Sequence, residues 1–345
     1  MVSFRYLLLL GLSFATPSNS AEKLGVDDSL NYLTQSICLD AGGRPMAGTP
    51  LDDRCLAKRS QTAMDRTYYR KHDWPNANDI WREKSGYQAS DSVLVERGGR
   101  TWVLQTLDFG DAPRIFGQFD AGQGDGGQVV ALAGGWASAI MTEDGGAGVQ
   151  WFIGPGCRTE SKSNARLVSW IFFGQVMRPG DWQSVIARLS LATSPTGCPT
   201  NFNTAYTRYR RDLIDVDFRV VGRSKDALMI TRKLDVIVSE HYAGDDIAHA
   251  GHLERFYFAR DFGLLRWERW ENLAISLQPG IGEMADLIAA SGRCRALRYS
   301  EPPGPHWRMI DCRSWTMLVE QQANWSVDMY GWPALDALGP SAKTK

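Results

Sequence analysis

One stretch in the second half of the chain, residues 234–272, constrains the fold more than any other. It reads LDVIVSEHYAGDDIAHAGHLERFYFARDFGLLRWERWEN, in which apolar and aromatic runs are separated by glycine and aspartate. β-Branched and aromatic residues bounded by such turn-forming residues are typical of strands. We therefore predict three consecutive strands, the first ending near Tyr242, the second over 253–260 and the third over 264–271.

Side-chain parity divides each predicted strand between two faces, because successive strand residues point in opposite directions. His252 and Glu254 then share one face, whereas Trp267 and Trp270, three residues apart, lie on opposite faces. Neither face is purely apolar, unlike a sheet with one face on a core and one in water. Two interpretations stay open: a concave surface that faces a ligand, or a surface covered by arginine stems lying over aromatic rings.

The rest of the chain predicts a mainly β fold, an antiparallel, jelly-roll-like β-sandwich with a few short helices and long loops, because many short apolar runs alternate with Gly/Pro/Asp turns. The further predicted strands are 101–109, 114–119, 128–133, 138–142, 149–153, 166–176, 182–191, 214–220 and 228–237. Residues 282–291 predict a short amphipathic helix, Asp28 is the predicted cap of another, and 204–212 read as a helical turn.

One segment carries a resemblance to a known fold. Residues 178–192, RPGDWQSVIARLSLA, place a turn, a tryptophan and a strand in succession. This order resembles a segment of concanavalin-like jelly rolls, over about fifteen residues. The resemblance implies the same class of fold and nothing about the site.

The chain divides into four predicted segments. Residues 1–21 have the pattern of a signal peptide, with Arg5 before an apolar run and small residues up to a cleavage position near Ala21. A loop-rich N-terminal wrapping segment follows over 22–100, then the β-sandwich core over 101–280. A C-terminal helix and loop segment over 281–345 is predicted to pack on the same domain. We expect a secreted or periplasmic protein without a membrane span.

The six cysteines agree with export, since an even number in a secreted chain indicates disulfides. They fall into three couples that are close in sequence. We therefore predict the pairs Cys38–Cys55, Cys157–Cys198 and Cys294–Cys312, without the close spacing that zinc ligands usually show.

Charge and aromatic content narrow the partners. The formal net charge is −1, and the chain has no long basic run, which argues against nucleic acid. The 13 tryptophans are as numerous as the phenylalanines, and aromatic faces stack on the apolar C–H faces of sugars. The expected partner is a polysaccharide or a cell-envelope protein, and the sequence does not determine an oligomeric state.

Candidate acid–base residues cluster on the three predicted strands of residues 234–272. Histidine, tyrosine and carboxylates on one sheet can move protons, as glycosidases and lyases require. The candidate catalytic residues are His241, His252, Glu254, Tyr257 and Glu268. The candidate substrate-binding residues are Trp267, Trp270, Arg255, Arg266 and Trp74. The alternative is that the two histidines are solvated residues at turn ends. No cofactor motif is present. His249 and His252, beside Asp245 and Asp246, have ligand types that suit a metal ion, but a flexible polar turn explains the same residues, so neither a cofactor nor a metal is predicted.

Two functions are compatible with these patterns. The first is an exported, non-catalytic cell-envelope or glycan- or protein-binding protein. The alternative is a carbohydrate-active enzyme, a polysaccharide lyase or glycoside hydrolase, with its acid–base residues on a concave sheet. The position of the candidate side chains discriminates between them, because an enzyme needs them in one cleft.

Overall fold

The computed structural model of the protein describes the following residues: 21–62, 67–71, 89–97, 100–107, 126–133, 135–139, 149–153, 159–163, 170–190, 196–198, 201–222, 227–243, 246–276, 279–292 and 294–320. The predicted strand 114–119 and Trp74 lie outside these residues.

Strands dominate the described part of the chain, as predicted. The first ten are β1 (Glu22–Lys23), β2 (Ser36–Leu39), β3 (Ala57–Ser60), β4 (Tyr68–Lys71), β5 (Ala89–Arg97), β6 (Arg100–Leu107), β7 (Gly126–Ala133), β8 (Trp136–Ala139), β9 (Val149–Ile153) and β10 (Thr159–Ser163). The others are β11 (Trp170–Gly174), β12 (Val176–Met177), β13 (Gln183–Ser190), β14 (Asn201–Val221), β15 (Ala227–Tyr242), β16 (His252–Ala259), β17 (Gly263–Asn272), β18 (Trp307–Ser314) and β19 (Met317–Glu320). The two helices are α1 (Val26–Leu33) and α2 (Ile281–Ser291).

Most of these strands join one large sheet. Its order is β11-β8-β7-β6-β5-β4-β19-β14-β15-β16-β17-β18, and β13 pairs with β14 at the side. Neighbours are antiparallel except β14 and β19, which run parallel. The mainly β, largely antiparallel class is therefore confirmed. Strands β4 and β5, from the predicted wrapping segment, belong to this same sheet.

The main core joins side chains from strands that are far apart in the order of this sheet. Phe172 and Phe173 of β11 are fully buried against Phe258 of β16 and Ile237 of β15. Val103, from the first half of the sheet, belongs to the same cluster. Strands β6, β7, β8 and β11 thus share one apolar core with β15, β16 and β17, which buries side chains of both parts of the sheet. The jelly-roll connectivity stays a prediction.

Strand β14 corrects one prediction. Residues 204–212 were expected to form a helical turn, but they lie inside this long strand and pair with β13 and β15. Side chains alternate along it, since Thr207 and Tyr209 are buried whereas Arg208 and Arg210 are only partly buried. Long-range pairing on both edges gives this polar segment its strand conformation.

The helices match the prediction in position but not in every detail. Helix α2 covers the predicted residues 282–291 and packs against β18. Helix α1 begins after Gly25, so Asp28 lies in its first turn and is not the cap that the sequence predicted. The Asp28 carboxylate instead faces Arg260 at 3.2 Å. Acidic residues in a first turn interact favourably with the helix dipole, which explains the pattern without capping.

Two predicted disulfides are present. Cys38–Cys55 and Cys294–Cys312 are bonded, with Cα–Cα distances of 5.2 and 6.0 Å. Cys198 is disulfide-bonded too, and its predicted partner Cys157 lies outside the described residues. These bonds are consistent with an extracellular or otherwise non-cytoplasmic protein. Within the part of the chain that the structure describes, no helix is long and apolar enough to cross a membrane.

Candidate functional site

Strands β15, β16 and β17 present two chemically different faces. The register places Glu240 opposite Arg255 and Arg255 opposite Glu268 on what we call the network face. On the reverse side, the histidine face, His241 lies opposite Glu254. Because side chains alternate along each strand, a one-residue step moves from one face to the other.

The network face is built on a buried chain of ion pairs. Arg255 donates through Nε to Oε1 of Glu240 at 2.8 Å and through Nη1 to Oε2 of Glu268 at 2.9 Å. Arg266 donates through Nε to the other oxygen of Glu268 at 2.7 Å. The side chains of Arg255, Glu240 and Glu268 are at most 1% exposed. Charges this deeply buried are tolerated because each has an opposite charge beside it.

Neutral donors and one loop complete the network. The Trp270 indole and the Ser300 hydroxyl donate to Glu268 at 3.0 and 2.6 Å. Arg255 Nη2 donates to the backbone carbonyl of Glu301 at 2.9 Å. Ser300 and Glu301 belong to the segment bracketed by the Cys294–Cys312 disulfide. The disulfide therefore holds the loop that covers the network face.

The network fixes its own protonation states. Burial tends to raise the pKa of Glu268, but the charges of Arg266 and Arg255 outweigh it, and the pKa lies below its usual range. Burial, together with the charge of Glu268, raises the pKa of Tyr257 well above its usual value. Glu268 thus stays ionised and Tyr257 stays protonated near neutral pH, which suits a structural network better than proton transfer.

The histidine face brings three predicted residues together. His252 Nδ1 lies 2.8 Å from an oxygen of Glu271, and Nε2 lies 3.6 Å from Glu254. The His241 ring packs edge-on against Phe172 and Phe256, with centroids 5.4 Å apart in both cases. His252 is 28% exposed at its side chain.

The two histidines have opposite pKa shifts. Burial acts to lower the pKa of His252, but interactions with Glu254 and Glu271 outweigh it and raise the pKa to about 9. Burial dominates at His241 and lowers its pKa to about 4, despite the charge of Glu254. Near pH 7 one ring is therefore charged and the other neutral. A proton shuttle works best with a pKa near the working pH, which neither ring has.

The predicted catalytic residues are thus divided by the sheet. His241, His252 and Glu254 lie on the histidine face, whereas Tyr257 and Glu268 lie on the network face. Of the predicted substrate-binding residues, Arg255, Arg266 and Trp270 belong to the network face, and Trp267 belongs to the main core. The opposite orientation of Trp267 and Trp270 is confirmed. The catalytic and binding roles themselves stay predictions.

The network face continues outward on β14 as a surface that sequence reasoning missed. Arg208 lies opposite Glu240 and is paired with it. Its guanidinium also stacks over the Trp182 ring, 4.5 Å from the centroid. Arg210 lies 5.4 Å from the same ring and 4.1 Å from that of Tyr299. We call Trp182, Arg208, Arg210, Arg298 and Tyr299 the arginine–aromatic strip.

Local sequence explains how Trp182 reaches this strip. Residues 178–181 form a turn in which Asp181 N donates to Arg178 O at 3.2 Å, with Pro179 in the second position. Gly180 occupies the third position with a φ of +84°, a conformation that favours glycine in this type of turn. Arg210 donates to the Gly180 carbonyl, so the turn and β14 hold each other. The available sequence signal was the spacing of Tyr206, Arg208 and Arg210 at every second residue.

The described residues offer little for other kinds of site. Among them, no group of three or more His, Cys, Asp or Glu side chains is arranged to hold a metal ion. A cavity of about 500 Å³ lies near the end of β14 and the start of β15, and Thr49, Leu51, Asp52, Met229 and Glu320 help to line it. None of the residues predicted as catalytic or substrate-binding lines this cavity.

Comparisons of the chain with protein-family models, with curated proteins and with solved structures found no match. The functional argument therefore depends on the geometry of the two faces and of the arginine–aromatic strip.

Proposed function

We propose that the protein is an exported, non-catalytic binding protein of the cell envelope, and that it binds glycan on the arginine–aromatic strip. The observation that carries this proposal is the strip itself, where partly buried rings lie beside guanidinium groups. Aromatic faces bind the apolar C–H faces of sugars, and guanidinium groups donate hydrogen bonds to their oxygens.

The division of the acid–base residues also supports a non-catalytic role. A glycosidase needs two carboxyl groups on either side of one scissile bond. Glu254 and Glu268 lie on opposite faces of the sheet, so one ligand cannot lie between them. Glu268 is moreover committed to Arg255, Arg266 and Ser300.

One observation favours the enzyme alternative. His252 lies beside both Glu254 and Glu271 and is partly exposed, so a ligand on the histidine face could contact it. A carbohydrate-active enzyme would use this cluster, and exchange of His252 for alanine would then abolish turnover.

Binding and product formation by the purified protein on a polysaccharide panel distinguish the two functions. We expect binding to at least one glycan without new reducing ends or unsaturated products. Trp182→Ala should weaken this binding at least about tenfold, the loss typical of a central aromatic contact.

His252→Ala is the matched control on the opposite face and should bind as the native protein does. If the native protein depolymerises a glycan and His252→Ala does not, the proposal is overturned in favour of the enzyme. If Trp182→Ala lowers the melting temperature, Arg298→Gln, which changes an exposed strip residue, tests the same surface.

A further inference from the structure

We propose that the ligand of the strip is an acidic polysaccharide, and that its sugar carboxylates bind Arg298 and Arg210 beside the Tyr299 ring. This inference depends on the proposed function, since it names the class of glycan that the strip binds. It concerns only the outer end of the strip, where the structure places two guanidinium groups around one ring.

The outer end of the strip carries more positive than negative charge. Arg210 and Arg298 both face Asp212, each at 3.4 Å, and the Tyr299 hydroxyl donates to the same carboxylate. Arg210 also donates to the Gly180 carbonyl and Arg298 to the Leu213 carbonyl. Each guanidinium has five N–H donors, so donors remain on both arginines. The Arg298 side chain is 58% exposed and can present its donors to a ligand, whereas that of Arg210 is 13% exposed and can add only a part of its guanidinium.

At the inner end of the strip, Arg208 already has a carboxylate partner within the protein. We therefore place the acidic group of the ligand at the outer end, beside Arg210, Arg298 and Tyr299. Arg208 is paired with Glu240, and Glu240 also accepts from Arg255 and from the Tyr242 hydroxyl. Arg255 is also paired with Glu268, so Glu240 remains the counter-charge of Arg208. The Arg208 side chain is 22% exposed, against 58% for Arg298, so an added anion reaches Arg298 more easily.

The shape of the outer end suits a sugar acid. Arg210 and Arg298 lie 4.1 and 5.1 Å from the Tyr299 ring centroid, so cationic groups and an aromatic surface adjoin. A sugar carboxylate lies next to an apolar ring face, which matches this pair of surfaces. Planar guanidinium groups bind carboxylates through two parallel hydrogen bonds, a geometry that lysine does not offer.

The chain as a whole has a formal charge of −1, so this is a local feature and not a basic protein surface. A local pair of arginines gives specificity for charge at one position without long-range attraction of every polyanion. This favours a polysaccharide with regularly spaced acid groups over nucleic acid, which basic surfaces bind through many phosphates.

The test compares acidic polysaccharides with their carboxyl-reduced forms, which keep the same backbone and lose the charge. With the native protein we expect at least about tenfold tighter binding of an acidic form than of its reduced form. Raising the ionic strength from about 0.05 M to about 0.5 M should remove most of this preference, because salt screens exposed charges.

Arg298→Gln should weaken binding of the acidic form roughly fivefold and leave the reduced form nearly unchanged. Arg232→Gln is the matched control, because Arg232 is an exposed arginine of the same sheet outside the strip. Equal losses in both variants would contradict the inference, since charge at any surface position would then explain the preference.

The outcomes separate this inference from the proposed function. If reduced or neutral glycans bind as tightly as acidic ones and Trp182→Ala weakens them, glycan binding stands and the acidic class is wrong. If no glycan of the panel binds, both the proposed glycan-binding function and the inference of an acidic ligand are wrong. If single-stranded nucleic acid binds tighter than every acidic polysaccharide, the acidic-glycan inference is overturned. A sulfated polysaccharide that binds while carboxylated ones do not would likewise overturn the carboxylate assignment.

Discussion

On the network face of β15–β17, the charged groups are shut away from solvent and neutralise one another, whereas on the histidine face His252 keeps more than a quarter of its side chain exposed. Both faces belong to the same strands and differ only in residue parity. The network face is closed by a loop that supplies Ser300 and Glu301, and the histidine face is closed at His241 by Phe172 of β11.

This difference shows that the residue types alone do not define a site. Glu254 and Glu268 have the same side chain and lie on neighbouring strands. Glu268 is covered by arginines and a loop, whereas Glu254 lies near the partly exposed imidazole of His252. What covers each face decides whether its carboxylates stabilise the fold or remain near a ligand.

The largest expected effect comes from removing the negative charge of Glu268, at the centre of the network face. Glu268→Gln leaves Arg255 and Arg266 buried with one fewer counter-charge. We expect a loss of about 3–5 kcal/mol in the free energy of unfolding, because an uncompensated buried charge is strongly destabilising. Urea denaturation at pH 7 measures it.

Asp215→Asn is the control for this experiment. Asp215 and Lys233 form an ion pair at 3.2 Å with both side chains more than half exposed. Exposed pairs contribute at most about 1 kcal/mol. If the two variants lost similar stability, burial would not be what distinguishes the network face from the surface of the sheet.

Parity was available from the sequence, and it predicted correctly that Trp267 and Trp270 point in opposite directions. The second and third strands of residues 234–272 were also predicted close to their observed bounds, and the first ends at Tyr242 as predicted, but it is continuous with the separately predicted strand 228–237. Each of these features depends on local alternation and turn residues, which the sequence displays directly.

The sequence does not show which distant residues cover each face of the sheet. Glu268 accepts a hydrogen bond from Ser300, which lies in a loop 32 residues later in the chain. The His241 ring packs against Phe172, which lies on a strand 69 residues earlier. The strip was missed for the same reason, because Trp182 and Tyr299 meet Arg210 only after β13, β14 and the disulfide loop have assembled. Long-range packing of this kind overrides local pattern, as it did where residues 204–212 proved to be strand.

Removal of the Cys294–Cys312 disulfide should open the network face next. Exchange of both cysteines for serine is expected to destabilise the protein by about 3 kcal/mol, the chain-entropy value for a loop of this size. Hydrogen exchange should accelerate in residues 295–306 before the strands exchange, because this loop contacts the network through Ser300 and Glu301.

The Cys38–Cys55 disulfide provides a matched comparison, since it closes a loop of almost the same length. Its removal should lower stability similarly but leave exchange in residues 295–306 unchanged. Faster exchange of that loop in both variants would mean that the covering loop responds to global stability and not to its own disulfide.

Titration of His252 on the histidine face should make the free energy of unfolding depend on pH. Because the pKa of His252 is raised to about 9, its interactions with Glu254 and Glu271 stabilise the fold fully below the unfolded pKa near 6.5. That contribution is lost as the pH rises through about 9. His252→Gln should therefore flatten the alkaline decrease in unfolding free energy, by roughly 1–3 kcal/mol. Urea denaturation from neutral to alkaline pH measures it.

His241 has the opposite sign. Its pKa is lowered to about 4, so the unfolded chain binds a proton below about pH 6.5 that the folded protein excludes. His241→Phe should flatten the acidic decrease in stability and leave the alkaline limb as it is. If both variants altered the same limb, the opposite pKa shifts of the two histidines would be wrong.

The smallest expected effect is that of His252→Gln on glycan binding. His252 projects from the face opposite the strip, since the strip residue Arg208 lies across from Glu240 and not from His241. The strands themselves separate the removed charge from the ligand, and salt screens much of what remains. We expect the affinity at pH 7 for the acidic polysaccharide to change by less than about twofold. Titration calorimetry of this variant, and of its combination with Trp182→Ala, tests it, because effects at separate sites add. A loss of tenfold or more in His252→Gln would place the ligand on the histidine face and would restore the catalytic interpretation of His252 and Glu254.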